Sequence, residues 1–339
     1  MSAAQVLSRS SGLQRLQAPL LATVALAALL SVPALLSGYF LLMATQVLVY
    51  AIALLGLNLL TGASGQISLG HGAFFAIGAY TVPIAMTQAA LSYWAAVPLA
   101  GAVCFVVGFL FGRPALRLEG LYLALATFAL AIALPQLLKH RSLGTWTGGV
   151  QGLFVDKLEA PRWLAGSLPL SGDQWLYVFA LLCGAPLFLA ARNLLRGRTG
   201  LALMAIREQP TAAAAMGIDL ARYKSLAFAV SAMVTGVAGA LGALTAQFVS
   251  PDSFGFFLSI TLLVGLVIGG VGSTFGVFFG AAFVVFVPNV AEHLSKSVPW
   301  AIYGVLLMLF VYLMPQGVSG LVRQTVGYAA RRLLSRRAP

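Results

Sequence analysis

Residues 40–60 read FLLMATQVLVYAIALLGLNLL, and nothing in that run carries a charge. A helix needs about 20 apolar residues to cross the hydrocarbon of a bilayer, so this stretch is long enough to span. It lies inside a longer one, because no Asp, Glu, Lys or Arg occurs from residue 16 to residue 112. That length predicts about four spans, near 18–36, 40–60, 69–89 and 94–112.

A fifth span is predicted over 119–138, between Glu119 and Lys139, and a sixth between Asp173 and Arg192. The seventh is placed at 225–248, after Lys224. The uncharged run 253–291 is broken by Gly269-Gly270-Val271-Gly272-Ser273, which predicts two short spans in place of one long one. A last span is placed near 298–314. The expected fold is all-α: a polytopic membrane protein of about ten transmembrane helices with interrupted, Gly-rich segments.

Composition supports this. Of 339 residues, 60% are apolar and 8% charged, against about 25% charged in soluble domains. Too few charges exist to coat a water-facing surface of this size. The 36 glycines suit membrane helices, where small residues let backbones approach. The net charge of +12 does not point to nucleic acid, because the basic residues sit in short clusters between uncharged runs. Cys104 and Cys183 lie far apart in apolar runs, so neither a disulfide nor a metal site is expected.

With a cytoplasmic N-terminus, the inner side receives Arg9, Arg15, Arg113, Arg117, Arg192, Arg196, Arg198, Arg207, Arg222, Lys224, Arg323, Arg331, Arg332, Arg336 and Arg337. The outer side receives Lys139, Arg141, Lys157, Arg162 and Lys296. Cations favour the cytoplasmic side, so this parity is preferred and both termini are expected inside. The domains expected are a cytoplasmic segment (1–17), a transmembrane domain (18–314) and a basic cytoplasmic tail (315–339). Within the transmembrane domain, 139–173 reads as a solvent-exposed external loop and 192–224 as a cytoplasmic loop. The first apolar run is long and leads directly into the next span, so no cleavable signal is expected.

Two segments carry the functional reading. The first runs Asn58-Leu59-Leu60-Thr61-Gly62-Ala63-Ser64-Gly65-Gln66-Ile67-Ser68-Leu69-Gly70-His71-Gly72. Polar groups and non-helical backbone at membrane depth persist only where protein or a wet cavity satisfies them. Two readings stand: a broken element lining a substrate path, or a turn with small-residue packing. The path is preferred because His71 lies beyond a reasonable turn, giving Asn58, Thr61, Gly62, Ser64, Gly65, Gln66, Ser68, Gly70, His71 and Gly72 as candidates. For His71 itself, a structural histidine bonded to its neighbours is an equal reading.

The second segment runs from Thr199 to Gly217. Thr199 is a possible helix cap, Pro210 suits the first turn of a second helix, Gly217 a C-terminal stop, and Asp219 a cap for span seven. A short helical element on the cytoplasmic face results, with an alanine-rich side that a partner can approach. A plain basic connector is the alternative. The pairs Gly108/Gly112, Gly265/Gly269 and Gly276/Gly280 read as helix contacts, and Arg331 to Arg337 as a lipid headgroup anchor. Ser68–Phe75 and Ser273–Phe279 are faintly alike, as in transporters built from two halves.

No GxxxxGK[ST] phosphate loop, metal-ligand cluster or catalytic constellation occurs. No acidic residue falls in the middle of a predicted span, so a proton relay is lacking too. A chain that moves cargo with neither device borrows its energy from a partner.

These segments also resemble a known family, the permease subunits of branched-chain amino acid ABC importers, most nearly the LivM type. The likeness rests on Thr61-Gly62, Gly65-Gln66 and Ser68-Leu69-Gly70-His71-Gly72-Ala73-Phe74, then Arg117-Leu118 and Gly120-Leu121-Tyr122-Leu123-Ala124. Thr147-Gly148-Gly149, Ala205-Ile206-Arg207-Glu208, Ser250-Pro251-Asp252-Ser253-Phe254 and Pro315-Gln316-Gly317 follow in order. Thr211 departs from the pattern, standing where importers of this kind usually carry Glu. The resemblance implies no enzyme activity and no cofactor in this chain. It implies a second homologous permease, two cytoplasmic ATP-binding subunits and a periplasmic solute-binding protein as partners in a bacterial inner membrane. It makes Arg207, Glu208, Thr211, Ala212, Ala213 and Gly217 the expected ATPase-coupling residues. A urea or short-chain amide importer and a self-sufficient carrier or channel are the alternatives.

Overall fold

The computed structural model describes residues 29, 31–36, 38–115, 120–161, 171–294, 299–314 and 316–321. The apolar runs fold as helices: α1 (Tyr39–Asn58), α2 (His71–Gln88), α3 (Tyr93–Ala115), α4 (Leu121–Leu138) and a one-turn α5 (Gly144–Thr147). Next come α6 (Gly172–Arg196), α7 (Arg198–Glu208), α8 (Pro210–Ala215) and α9 (Leu220–Ala246). Then follow α10 (Phe256–Gly269), α11 (Gly276–Leu294) and α12 (Pro299–Leu313), with a further helical turn at 317–321. The segment 1–17, most of the span expected at 18–36, and the tail beyond 321 lie outside the described residues.

Among the described residues, five helices are long and apolar enough to cross a membrane: Tyr39–Ala63, Tyr93–Arg113, Leu121–Leu138, Gly172–Arg196 and Leu220–Ala246. α10 and the apolar part of α11 are shorter, and a break at 270–275 separates them. α2 carries polar residues at both ends, His71 and Gln88, but its body is buried at Ala73, Phe74, Ala76, Ala79 and Val82. It is a helix wrapped by other helices.

The centre of the bundle is α9, which packs on α1, α2 and α3. Glycine makes that closeness possible. A Cβ at Gly78 would strike the Gly236 carbonyl, and one at Gly239 would strike the Phe75 carbonyl. With lipid offering no hydrophobic drive for pairing, such backbone approach supplies the van der Waals contact that holds helices together. The three glycine pairs are helix contacts, as their spacing suggests. Gly108 and Gly112 face Ala232 and Phe228 of α9, while Gly265 meets Gly280, and Gly269 meets Gly276, across the α10–α11 contact.

The bundle has two distinct ends. At one, Lys139 pairs with Asp252, Lys157 with Asp173, and Trp175 donates to Tyr93. At the other, Arg207 donates to the carbonyl oxygen of Gly62, and the amide of Gly272 donates to Asn58. Arg113, Arg192, Arg196, Arg198, Arg222 and Lys224 follow from helix direction to this second end.

Part of the expected external loop is a packed cap. Strand β1 (Leu153–Phe154) pairs antiparallel with β2 (Phe248–Val249), Leu153 opposite Val249. Val155 is 6% exposed and Leu158 4%, while Phe154, Asp156 and Lys157 are exposed. Apolar residues at 153 and 155 alternate with outward ones, the period of a half-buried strand. For the same reason α9 stops at Ala246 rather than 248: Gln247 turns to φ 57° and Phe248 enters the strand.

Candidate functional site

The polar segment after α1 folds as an unusual helix end. α1 continues as a single π turn, Leu59–Ala63, after which residues 65–70 are non-helical before α2 starts at His71. The segment turns back into the bundle. Leu69 N donates to Thr127 Oγ1 at 2.9 Å, and Thr127 lies about 9 Å into α4 at 1.5 Å per residue. His71 reaches Ser231, about 16 Å into α9 by the same rise.

At that depth each polar group needs a protein partner, and the sequence supplies them. Ser231 Oγ donates to the Gly56 carbonyl at 2.6 Å and lies 2.6 Å from His71 Nε2. Since the hydroxyl proton is committed to Gly56, Nε2 carries the ring proton and donates. Nδ1 then accepts from Ser68 Oγ at 2.9 Å, and Ser68 accepts from the Gly70 amide at 3.3 Å. His71 is 1% exposed, neutral in this arrangement and bonded on both nitrogens.

The remaining candidates are bound as closely. Asn58 Oδ1 accepts from Gly272 N at 2.7 Å. Thr61 Oγ1 donates to the Gln66 carbonyl, Ser64 Oγ to the Leu60 carbonyl, and Gln66 Nε2 to Ser64 Oγ. Gly72 N donates to Ser259 Oγ at 3.1 Å. A Cβ at Gly70 would sit 2.9 Å from the Thr127 carbonyl oxygen, so only glycine fits there. Of the ten candidates, Ser64, Gly65 and Gln66 line a cavity of about 210 Å³, together with Arg207 and Lys224. The other seven brace the segment against its own protein.

The coupling segment follows its local signals closely. Gln209 is extended, Pro210 opens α8, and Gly217 at φ 84° closes it. Ile218 N donates to Ala213 O at 3.1 Å and Gly217 N to Ala214 O at 3.0 Å, the paired bonds of a Schellman stop. Asp219 caps α9 by accepting from Arg222 N at 3.0 Å. Thr199 is not a cap: extended Gly197 takes that place and α7 begins at Arg198.

Leu203 and Ile206 are buried, and Leu203 packs α7 into an apolar cluster with Leu60, Ala63, Phe74 and Phe228. Glu208, Thr211, Ala212 and Gly217 are exposed and Ala213 is buried. Arg207 points the other way. Its guanidinium donates to the Gly62 carbonyl, and its stem lies where a Cβ on Gly65 would be 2.9 Å from Cγ. The two segments singled out from sequence therefore touch.

A second cavity, also about 210 Å³, opens at the Asp252 end and is lined by Gln46, Tyr50, Phe75, Thr245, Ser253 and Phe254 among others. Sequence reading missed it. The available signal was Gln46, an amide inside the apolar run 40–60, with Tyr50 one turn further along the same face.

Comparison with known proteins places this geometry in a family. The chain is similar to the high-affinity branched-chain amino acid transport system permease protein LivM of Salmonella typhimurium and of Escherichia coli K12. Each is 33% identical over 83% of this chain and 70% of the relative. It is also similar to LivH of Salmonella typhimurium, at 24% identity over 80% of this chain and 91% of the relative. No solved structure matches significantly. Residues 39–314 match the family described as the branched-chain amino acid transport system permease component, and the chain belongs to that family.

Proposed function

We propose that this chain is one permease subunit of a binding-protein-dependent ABC importer for branched-chain amino acids. The observation that carries the reading is the LivM likeness over 83% of the chain. Likeness to both LivM and LivH supports a second homologous permease as partner. Two ATP-binding subunits on the cytoplasmic side and a periplasmic solute-binding protein complete the assembly.

The chain spans the bacterial inner membrane about ten times, with the Arg207 end and both termini cytoplasmic. Arg113, Arg192, Arg196, Arg198, Arg207, Arg222 and Lys224 at one end against Lys139, Arg141 and Lys157 at the other support this orientation.

The cargo passes between the two permeases, not through one. Between these two cavities, among the described residues, His71, Phe74 and Phe228 stand in mutual ring contact. Beside them, Gly56 lies too close to Thr235 and Ser231 to accept even a methyl group. ATP binding moves α7 and α8, and Arg207 carries that motion to the 58–72 segment. Ser64, Gly65 and Gln66 face the inner mouth, and the residues bonded behind them make the segment move as a unit.

The test is uptake of radiolabelled leucine into proteoliposomes holding this chain, its co-encoded permease, the ATP-binding subunits and the binding protein. Uptake that needs both internal ATP and the ATP-binding subunits is expected. Equal uptake by this chain alone, without ATP, overturns the importer reading in favour of a carrier or channel.

A further inference from the structure

Gln46 and Tyr50 stand one turn apart on α1, inside the first apolar run, and both line the cavity at the Asp252 end. Among the described residues neither the Gln46 amide nor the Tyr50 hydroxyl has a hydrogen-bond partner. This contrasts with the 58–72 segment, where side chain after side chain is bonded. Both residues are half-buried, so their polar groups stay open to the cavity and free to bond a molecule that enters it. A sequence that keeps them there gains something from a partner that arrives from outside.

The rest of the cavity describes that partner. Its walls are apolar: Val49, Phe75, Phe254 and Leu258, with Ala243 closing the α9 side. Among the described residues no charged side chain lines it, so a lone ion meets no counter-charge there. About 210 Å³ is well above the ~30 Å³ of one water and below the ~300–1,000 Å³ of drug-sized sites. A small molecule with one polar end and an aliphatic body fits both descriptions.

We propose that this cavity is a transient cargo site, in which Gln46 and Tyr50 hold the α-carboxylate and α-ammonium of an aliphatic amino acid while Phe75, Phe254 and Leu258 cover its side chain. The proposal rests on the importer reading and adds to it a side pocket at this subunit's outer end, where cargo pauses before it moves on between the two permeases. The Gln46 amide offers a donor to the carboxylate and an acceptor to the ammonium, and the Tyr50 hydroxyl offers a second donor. A net-neutral zwitterion needs no buried counter-charge. The site's lid is the turn Pro251–Phe254, which contributes Ser253 and Phe254 to the lining and is tied to α4 by the Lys139–Asp252 pair. Two hydrogen-bonding groups on an apolar floor hold cargo weakly, as a pathway requires.

The experiment uses the whole importer in proteoliposomes, with Cys104 and Cys183 replaced by Ala and Ser253→Cys as a reporter at the lid. Labelling of that thiol by a small methanethiosulfonate reagent is timed with leucine, with 3-methylbutanol, and with neither. Leucine should slow labelling and the alcohol should not, and Gln46→Leu should abolish the protection. In the wild-type background, Gln46→Leu and Tyr50→Phe should each lower leucine uptake about tenfold, the worth of one hydrogen bond to a charged group. ATP hydrolysis should persist.

Equal protection by alcohol and leucine overturns polar recognition and leaves a greasy void. No protection by leucine, or undiminished uptake in both variants, overturns the site while ATP-dependent wild-type uptake keeps the importer reading. Leucine protection of the lid thiol together with equal uptake by this chain alone, without ATP, keeps the site and overturns the importer reading.

Discussion

Arg207 Nη1 donates to the carbonyl oxygen of Gly62, joining residues 145 positions apart in sequence. That carbonyl belongs to the π turn ending α1, where a wider helical turn leaves main-chain oxygens available to outside donors. Arg207 sits in the last turn of α7, next to the exposed residues that face the ATP-binding partner in our proposal. The link spans the distance between them. Arg207→Ala should therefore reduce leucine uptake more than ATP hydrolysis, so that less cargo moves per ATP. The lost charged hydrogen bond is worth about 1.5–3 kcal/mol, enough for a tenfold effect. Uptake and phosphate release measured on the same proteoliposomes decide it, and a parallel fall in both would make Arg207 a docking residue only.

His71 is bonded on both ring nitrogens and buried. His71→Ala removes both bonds, leaves the Ser68 hydroxyl proton without its acceptor, and opens a cavity. The expected cost is about 2–4 kcal/mol, visible as a lowered melting temperature in detergent. Ser231→Ala should cost about 1 kcal/mol. A His71→Ala protein that melts like the wild type yet fails to transport would put this histidine in the cargo path instead.

Ala212 and Ala213 are neighbours on α8 with opposite fates, one exposed and the other buried. Ala212→Trp should leave the melting temperature unchanged and prevent capture of the ATP-binding subunits in a pull-down. Ala213→Trp should lower the yield of folded protein, since overpacking a filled site costs about 1–3 kcal/mol. Normal capture by Ala212→Trp would move the docking surface off this face of α8.

Gly78 of α2 and the Gly236 carbonyl of α9 leave no room for a methyl group. Gly78→Ala should force the two helices apart and cost more than about 2 kcal/mol, read as loss of monodisperse protein in size-exclusion chromatography. Gly304, with nothing within 4 Å of its added Cβ, should tolerate alanine without such loss.

The Lys139–Asp252 pair has side-chain exposures of 24% and 70%. Water screens an ion pair this open, so Asp252→Asn should change stability by less than about 1 kcal/mol. A larger loss in thermal melting would show that the cap depends on this pair more than on the β1–β2 strands.

What the sequence by itself determined was everything governed by neighbours along the chain. Uncharged runs specify helices in lipid because backbone groups there must be paired within the segment. The break at 270–275 follows from glycine, and the α8 boundaries from Pro210 and Gly217, whose backbone preferences act locally. The cap at 153–158 left a faint alternation that the surrounding loop residues obscured. The partners of polar side chains were another matter. Nothing within ten residues of His71 announces Ser231, nothing near Gly62 announces Arg207, and the amide of Gln46 in its apolar run does not say which segments enclose it. Those pairings exist because α9 runs through the centre of the bundle and glycines bring α2 against it. Which polar group is satisfied, and which waits in a cavity, is set by the packing of segments remote in sequence, and only the tertiary structure decides that.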